Sequence, residues 1–365
     1  MGQWGLAYPL RDRGYNRDAC AALDSGTDVD TLLLIATLLY LMFVIYAANQ
    51  VQAGLWEPSI IRLCLMSLVG LLFILAPCSL QALILSSDPA LSGQFTPISP
   101  FQALFVAAFA SAAALFSYQI LQRPELRVSV ARYIKGYNPE SQVHLTAVVL
   151  CLLALTAVAF NFMLAGGVSG IADSYEQSEL SLRTSILESA LFVAAGFLGV
   201  GFAIRRGGPA SLDRLGLRIP TRNDVITGVV LGIALYGVAA VFSTVWITLS
   251  DPQTFAEQTR ATQEINSQLA SLPVAILVGG GAAIGEEVFI RGALQPIFGL
   301  WLTSAFFALL HSQYLLTPTL ALMFVLGLSF GRLRQLQSTT AAVIAHFIYN
   351  IVPFALYALG GGGLS

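Results

Sequence analysis

The chain of 365 residues draws 56% of its side chains from the set AVILMFWYC, and only 10% are charged. Soluble domains carry about 25% charged residues, so a mean hydropathy of +0.75 excludes an ordinary water-facing protein. The 18 basic and 20 acidic side chains leave a net charge of −2, with Lys135 the sole lysine, which excludes nucleic acid as a main partner.

A membrane-spanning helix takes about 20 mostly apolar residues, so this composition furnishes roughly eight to ten spans and predicts an all-α, polytopic membrane bundle. Residues 1–30 form a polar segment with five Asp and three Arg. That is neither the basic, short-cored pattern of a signal peptide nor an acid-poor transit peptide, so no cleaved leader is expected. Apolar runs then predict spans at 31–48, 63–85, 101–121, 145–164 and 184–204. A polar, basic connection follows at 205–224, and further spans are predicted at 225–249, 273–298, 300–316, 319–330 and 339–359. The Gly-rich tail, 360–365, reads as a frayed end. Residues 31–204 thus form an amino-terminal group of five helices without an assigned role, and 225–359 a second group that holds the chemistry.

Basic residues favour the cytoplasmic side of a membrane. Arg123, Arg127, Arg132 and Lys135 fall in one connection and Arg205, Arg206, Arg214, Arg218 and Arg222 in another. With Arg62, Arg291, Arg332 and Arg334, thirteen of the eighteen basic residues come to one side, against Arg183 and Arg260 in the opposite connections. The amino terminus, with Arg11, Arg13 and Arg17, is the exception to this pattern. Cys20, Cys64, Cys78 and Cys151 show no paired spacing and read as small apolar fillers.

Ionised side chains are costly in a bilayer, roughly 2.5 to 3.5 kcal/mol each on insertion scales, and usually serve function. Glu286, Glu287 and Arg291 break an otherwise apolar run. Glu287 and Arg291 are four apart and share a helical face as a pair, whereas Glu286 points about 100 degrees away and keeps its carboxylate free. A leftover carboxylate in low dielectric suits a group that accepts and returns protons. Later spans hold His311, one turn after Phe307, and His346, one turn before Asn350. At a rise of 1.5 Å per residue, Glu286 lies about 18 Å, His311 about 17 Å and His346 and Asn350 about 10 to 17 Å from one membrane face, given a hairpin at Gly299. His144 reads as an interfacial bystander. Glycines at 279, 280, 281, 285, 327 and 331 predict close helix packing around the cluster.

The ordered set Glu286-Glu287-x-x-x-Arg291, Phe307-x-x-x-His311 and His346-x-x-x-Asn350 resembles the CPBP family, which comprises type II CAAX prenyl endopeptidases and bacteriocin-processing or immunity enzymes. The resemblance covers residues 274–350, including Arg291-Gly292-Ala293-Leu294, and extends to Arg214-Leu215-Gly216-Leu217-Arg218 as a polar lead-in. It implies an intramembrane endopeptidase whose cavity opens to the cytoplasm and the lipid, acting on a membrane-associated substrate, either a prenylated CAAX-type protein or a peptide precursor. By that resemblance Glu286 and His311 activate the attacking water, and His346 and Asn350 stabilise the oxyanion, with Glu287, Arg291 and Phe307 supporting. A base for water and donors for developing negative charge are what peptide hydrolysis requires. Glu286, His311 and His346 would be the ligands if a divalent metal such as zinc took part, but the sequence has no HExxH and metal-free hydrolysis is the favoured reading.

Two other classes compete. A proton- or cation-coupled transporter uses intramembrane acids and histidines in the same way, but predicts corresponding polar, broken helices in both halves of the chain, and polar intramembrane residues are expected in the second half alone. A non-catalytic immunity protein of the same family would hold a peptide or lipid in the same pocket. The expected location is a bacterial plasma membrane.

Overall fold

The computed structural model describes residues 17–91, 96–168, 170–171, 182–249, 256, 272–311, 314 and 317–359, with backbone alone for 17–31, 182–184, 249, 272 and 357–359. Arg11, Arg13, Arg260, part of the 300–316 run and the 360–365 tail therefore lie outside the described residues, as do the side chains of Arg17, Cys20 and Arg183. All regular structure among the described residues is helical.

The chain divides into two compact units, residues 1–43 and 44–365. In the first, helix α1 (Arg17–Gln52) presents Leu32, Leu33, Leu34 and Leu39 on its surface. In the second, the last turns of α1 are buried, and α2 (Pro58–Ser87), α3 (Pro100–Gln122) and α5 (Gln142–Leu164) pack on one another, with the short α4 (Pro124–Tyr133) between the last two. Helix α6 (Leu182–Val200), α7 (Gly208–Leu215) and α8 (Arg222–Leu249) follow. The remaining elements are α9 (Leu272–Glu286), a π-helical segment (Glu287–Leu294), α10 (Gln295–Leu310), α11 (Thr319–Leu336) and α12 (Thr339–Leu359). Proline in the first turn starts α2, α3, α4, α7 and α10, where its missing N–H costs no helical bond.

Among the described residues seven stretches are long and apolar enough to cross a membrane, and Pro273–Leu310 counts as one of them although it is broken inside. The break is at Gly299, whose φ of 79° and ψ of 175° only glycine takes readily. The protein is a polytopic helical membrane bundle. Several ends differ from the hydropathy reading: α1 runs over Arg17–Gln52 instead of 31–48 and α2 starts at Pro58 instead of 63, and three further differences have a local cause. The fifth span stops at Val200 because Gly201, with φ of 89°, turns the chain before Ile204. Helix α10 ends at Leu310 instead of 316, since His311 leaves helical geometry at φ −84° and ψ 76°. Helix α11 runs to Leu336 instead of 330, carrying Arg332 and Arg334 in its final turns.

The second half is drawn together by small residues and one buried carboxylate. A Cβ on Gly232 would stand 2.6 Å from the Ala345 carbonyl oxygen, and one on Gly228 2.7 Å from Ile344 Cγ2, so α8 and α12 touch backbone to backbone. At the adjoining end, Asp224 Oδ1 accepts from Arg218 Nη2 at 3.0 Å and Ser338 Oγ at 3.1 Å, while Oδ2 accepts from Thr221 N at 2.9 Å and Oγ1 at 2.8 Å. These bonds, with Thr339 N–H donating to the Gly216 carbonyl at 2.9 Å, fix where α12 begins. Between α10, α11 and α12 lies an apolar core of Ile290, Phe307, Leu326, Phe330, Ala341 and Ala345.

Gly232→Leu should force α8 off α12 and lower the thermal midpoint of the detergent-solubilised protein, because overpacking typically costs about 1 to 3 kcal/mol. Gly70→Ala, whose added Cβ meets open space, should leave the midpoint unchanged or slightly higher.

Candidate active site

The apolar run that begins in α9 changes character at its first charged residues. From Glu287 to Leu294 the backbone widens into a π-helix, with the Gln295 N–H donating to the Ile290 carbonyl five residues back. Such bulges are uncommon and frequent at functional sites. Small residues let neighbours press on this segment. Gly285 lies where a Cβ would come 2.9 Å from the Ser189 carbonyl oxygen of α6, and Gly292 where it would come 2.9 Å from Leu215 Cδ2 of α7.

Glu287 is fully buried. Its Oε2 accepts from Arg291 Nε at 3.1 Å, and its Oε1 lies 3.0 Å from His346 Nδ1 on α12. The four-residue spacing thus does pair Glu287 with Arg291, but the same carboxylate also holds a histidine 59 positions away. A carboxylate paired with a guanidinium only accepts hydrogen bonds, so His346 carries its proton on Nδ1 and turns Nε2 outward. Arg291, also fully buried, lays its guanidinium 5.1 Å over the Phe307 ring.

Phe307 then joins the two histidines. Its ring centroid is 4.7 Å from that of His311 and 6.0 Å from that of His346, and His346 is stacked on Phe330 at 4.8 Å. His311 Nδ1 lies 2.8 Å from the Phe307 carbonyl oxygen. That oxygen only accepts, so Nδ1 bears the proton and Nε2 of the neutral ring keeps its lone pair. The same bond occupies a carbonyl left over at the end of α10.

Glu286 is partly exposed, and its Oε2 is buried with no hydrogen-bond partner in the protein. Its charge acts on His346. Asn350 stands one turn further along α12, where its Nδ2 donates to the Gly279 carbonyl at 3.2 Å and keeps a second N–H free of that bond. His144 lies apart from the cluster: its Nδ1 accepts the Asn138 N–H at 2.9 Å, and its ring packs 6.1 Å from Tyr137. Among the described residues no three His, Cys, Asp or Glu side chains converge as metal ligands, so the set Glu286, His311 and His346 does not fit an ion as placed here.

One acidic residue escaped the sequence reading. Glu188, on α6, lies one residue before the Ser189 that packs on Gly285, and it interacts through space with Glu286. The expectation that polar intramembrane residues are confined to the second half is therefore corrected. A lone Glu inside the 184–204 run was the available signal, and the mean hydropathy of its neighbours masked it.

Fold and site together define an all-helical membrane protein with a titratable cluster enclosed by its apolar second half. Residues 268–352 match the family model described as Type II CAAX prenyl endopeptidase Rce1-like, in agreement with the CPBP resemblance. The matched segment contains Glu286, Glu287, Arg291, Phe307, His311, His346 and Asn350. Comparisons with curated proteins and with solved structures gave no match.

Removing either partner of the Glu287 and Arg291 pair strands a buried charge, which typically costs about 3 to 5 kcal/mol. Arg291→Ala and Glu287→Leu should each sharply reduce the amount of folded protein recovered from membranes. Glu287→Leu combined with Arg291→Met should recover most of that loss in a thermal unfolding assay.

Proposed function

We propose that the protein is an intramembrane endopeptidase that hydrolyses a peptide bond in a membrane-associated substrate, a prenylated CAAX-type protein or a peptide precursor. The observation that carries this reading is the contact of Glu287, one residue after the unpartnered Oε2 of Glu286, with His346, and of Phe307 with both His311 and His346, inside the segment that matches the protease family.

In this reading Glu286 and His311 act on water. The unpartnered Oε2 of Glu286 offers an acceptor for its proton, and His311, with Nδ1–H committed to the Phe307 carbonyl, offers Nε2 as a second base. His346 and Asn350 act on the tetrahedral intermediate. His346 donates through Nε2 as an imidazolium whose charge Glu287 compensates, and Asn350 donates the N–H not used by Gly279. Proton transfer then returns the water's proton from Glu286 to the leaving amine, which balances the hydrolysis. No step is routed through a metal ion. The arginine-rich end of the bundle faces the cytoplasm in this account, and the host membrane is a bacterial plasma membrane.

The Glu188 and Glu286 pair is what favours a second reading, a proton- or cation-handling path that crosses from one half of the chain to the other. That path predicts ion flux in sealed vesicles that Glu188→Gln abolishes, whereas the protease predicts none.

Glu286→Gln should eliminate turnover while leaving the protein inserted and folded. The check compares protein termini across membranes from host cells lacking the protein, carrying it, and carrying Glu286→Gln at matched abundance. New termini that require the intact glutamate are expected, and their absence overturns the reading. Asn350→Ala should lower kcat by roughly 10²- to 10³-fold with little change in KM, because an oxyanion donor acts mainly in the transition state.

A further inference from the structure

Four arginines stand at the end of the bundle where α6 stops, α7 begins and α11 finishes, and Arg334 Nη2 comes within 3.5 Å of where a Cβ on Gly216, two residues after Arg214, would stand. Arg214 feels the charges of Arg206, Arg334 and Arg205, and Arg205 feels that of Arg206. All four side chains are partly buried. Their protein partners are neutral: Arg205 Nε donates to Asn49 Oδ1 at 2.8 Å, Arg206 Nη1 to the Val200 carbonyl, and Arg214 Nη1 to the Gly292 carbonyl at 3.1 Å. The Arg334 Nε is buried with no partner at all. Among the described residues no carboxylate lies within salt-bridge distance of any of the four, although Arg218 nearby pairs with Asp224 at 3.0 Å.

These contacts orient the guanidiniums without neutralising them. Burial, and then the neighbouring charges of Arg206, Arg334 and Arg205, push the pKa of Arg214 down. Such a convergence is unfavourable unless an anion completes it, and guanidinium forks match a phosphate better than any other common group. The surroundings specify the source of that phosphate. Phe202, Leu212, Ile219 and Leu336, each within five residues of one of the four arginines in the chain, stand exposed at 40%, 43%, 89% and 65%. An apolar rim next to a cationic pocket, at the level where the spans end, faces the boundary between acyl chains and headgroups.

We propose that Arg205, Arg206, Arg214 and Arg334 bind the phosphate of an anionic phospholipid headgroup. The occupied site clamps α7 onto the π-helical segment, because Arg214 already donates to Gly292 and Leu215 fills the space that Gly292 leaves by having no Cβ. Three of the four arginines lie outside the segment that matches the protease family, and binding is independent of whether the chain cleaves peptides.

The test uses the full chain, purified and offered phosphatidylglycerol and phosphatidylcholine in equal amounts, with retained lipid read by native mass spectrometry. Preferential retention of phosphatidylglycerol is expected. Each Arg→Gln change at 214 or 334 should weaken it roughly fivefold, Arg214→Lys with Arg334→Lys should keep part of it through charge alone while losing the fork, and exposed Arg132→Gln should leave it unchanged. Arg334→Gln alone decides the matter if Arg214→Gln fails to fold. Equal retention of the two lipids, or full retention by Arg334→Gln, overturns the proposal. In a second arm, thermal midpoints are compared with phosphatidylglycerol and with inorganic phosphate. A larger rise with the lipid is expected, and an equal rise with inorganic phosphate overturns the lipid assignment in favour of a free-phosphate site.

Discussion

The candidate site in the second half of this protein is organised around the buried carboxylate of Glu287. Glu287 has no exposed surface and holds Arg291 with one oxygen and His346 with the other. Burying such a group is unfavourable unless its partners are in place, so the pair selects the arrangement of helices that supplies them. The consequences spread by contact. Arg291 stacks on Phe307, and Phe307 meets both histidine rings. A single ion pair thereby sets the positions of two imidazoles on different helices. Glu286, one residue earlier, is left without a protein partner on one oxygen because its neighbour has taken the cation.

The backbone is shaped to allow this. The wide turn from Glu287 to Leu294 places Glu287 and Arg291 against α12 and Phe307, while Gly285 and Gly292 bring α6 and α7 against its two ends. Glu287 and His346 are therefore buried where neighbouring helices close on this segment. Preorganisation of that kind favours electrostatic catalysis, since groups held in a dry, packed site need not rearrange as charge develops. The same packing ties the arginine-rich end to the site through Arg214 and Gly292.

Much of this was legible in the sequence. Runs of about 20 apolar residues placed the spans, and α12 was placed to the residue because a polar Ser338 and a Gly-rich tail bracket it. The Glu287 and Arg291 pair was legible because helical neighbours are separated by four positions. Other features depend on tertiary contact or on departures from regular geometry. The bond from Glu287 to His346 joins positions 59 apart, and no periodicity announces it. The π-helical turn breaks the 3.6-residue assumption on which facing arguments rest. His311 ends its helix because its ring takes the Phe307 carbonyl, a side-chain event invisible to a hydropathy average. Positive charge indicated which connections share a side, but their counts gave no sign that Arg205, Arg206, Arg214 and Arg334 meet.

The role of Glu287 is read most directly from the state of the His346 ring, which ¹⁵N spectroscopy of histidine-labelled protein in lipid reports for each nitrogen. With Glu287 intact, His346 Nδ1 should carry a proton in a strong hydrogen bond, and Glu287→Gln should weaken that bond or leave Nδ1 without its proton. A His346 Nδ1 that lacks a proton in the unaltered protein, or a spectrum indifferent to Glu287→Gln, would contradict the claim that this carboxylate orders the site.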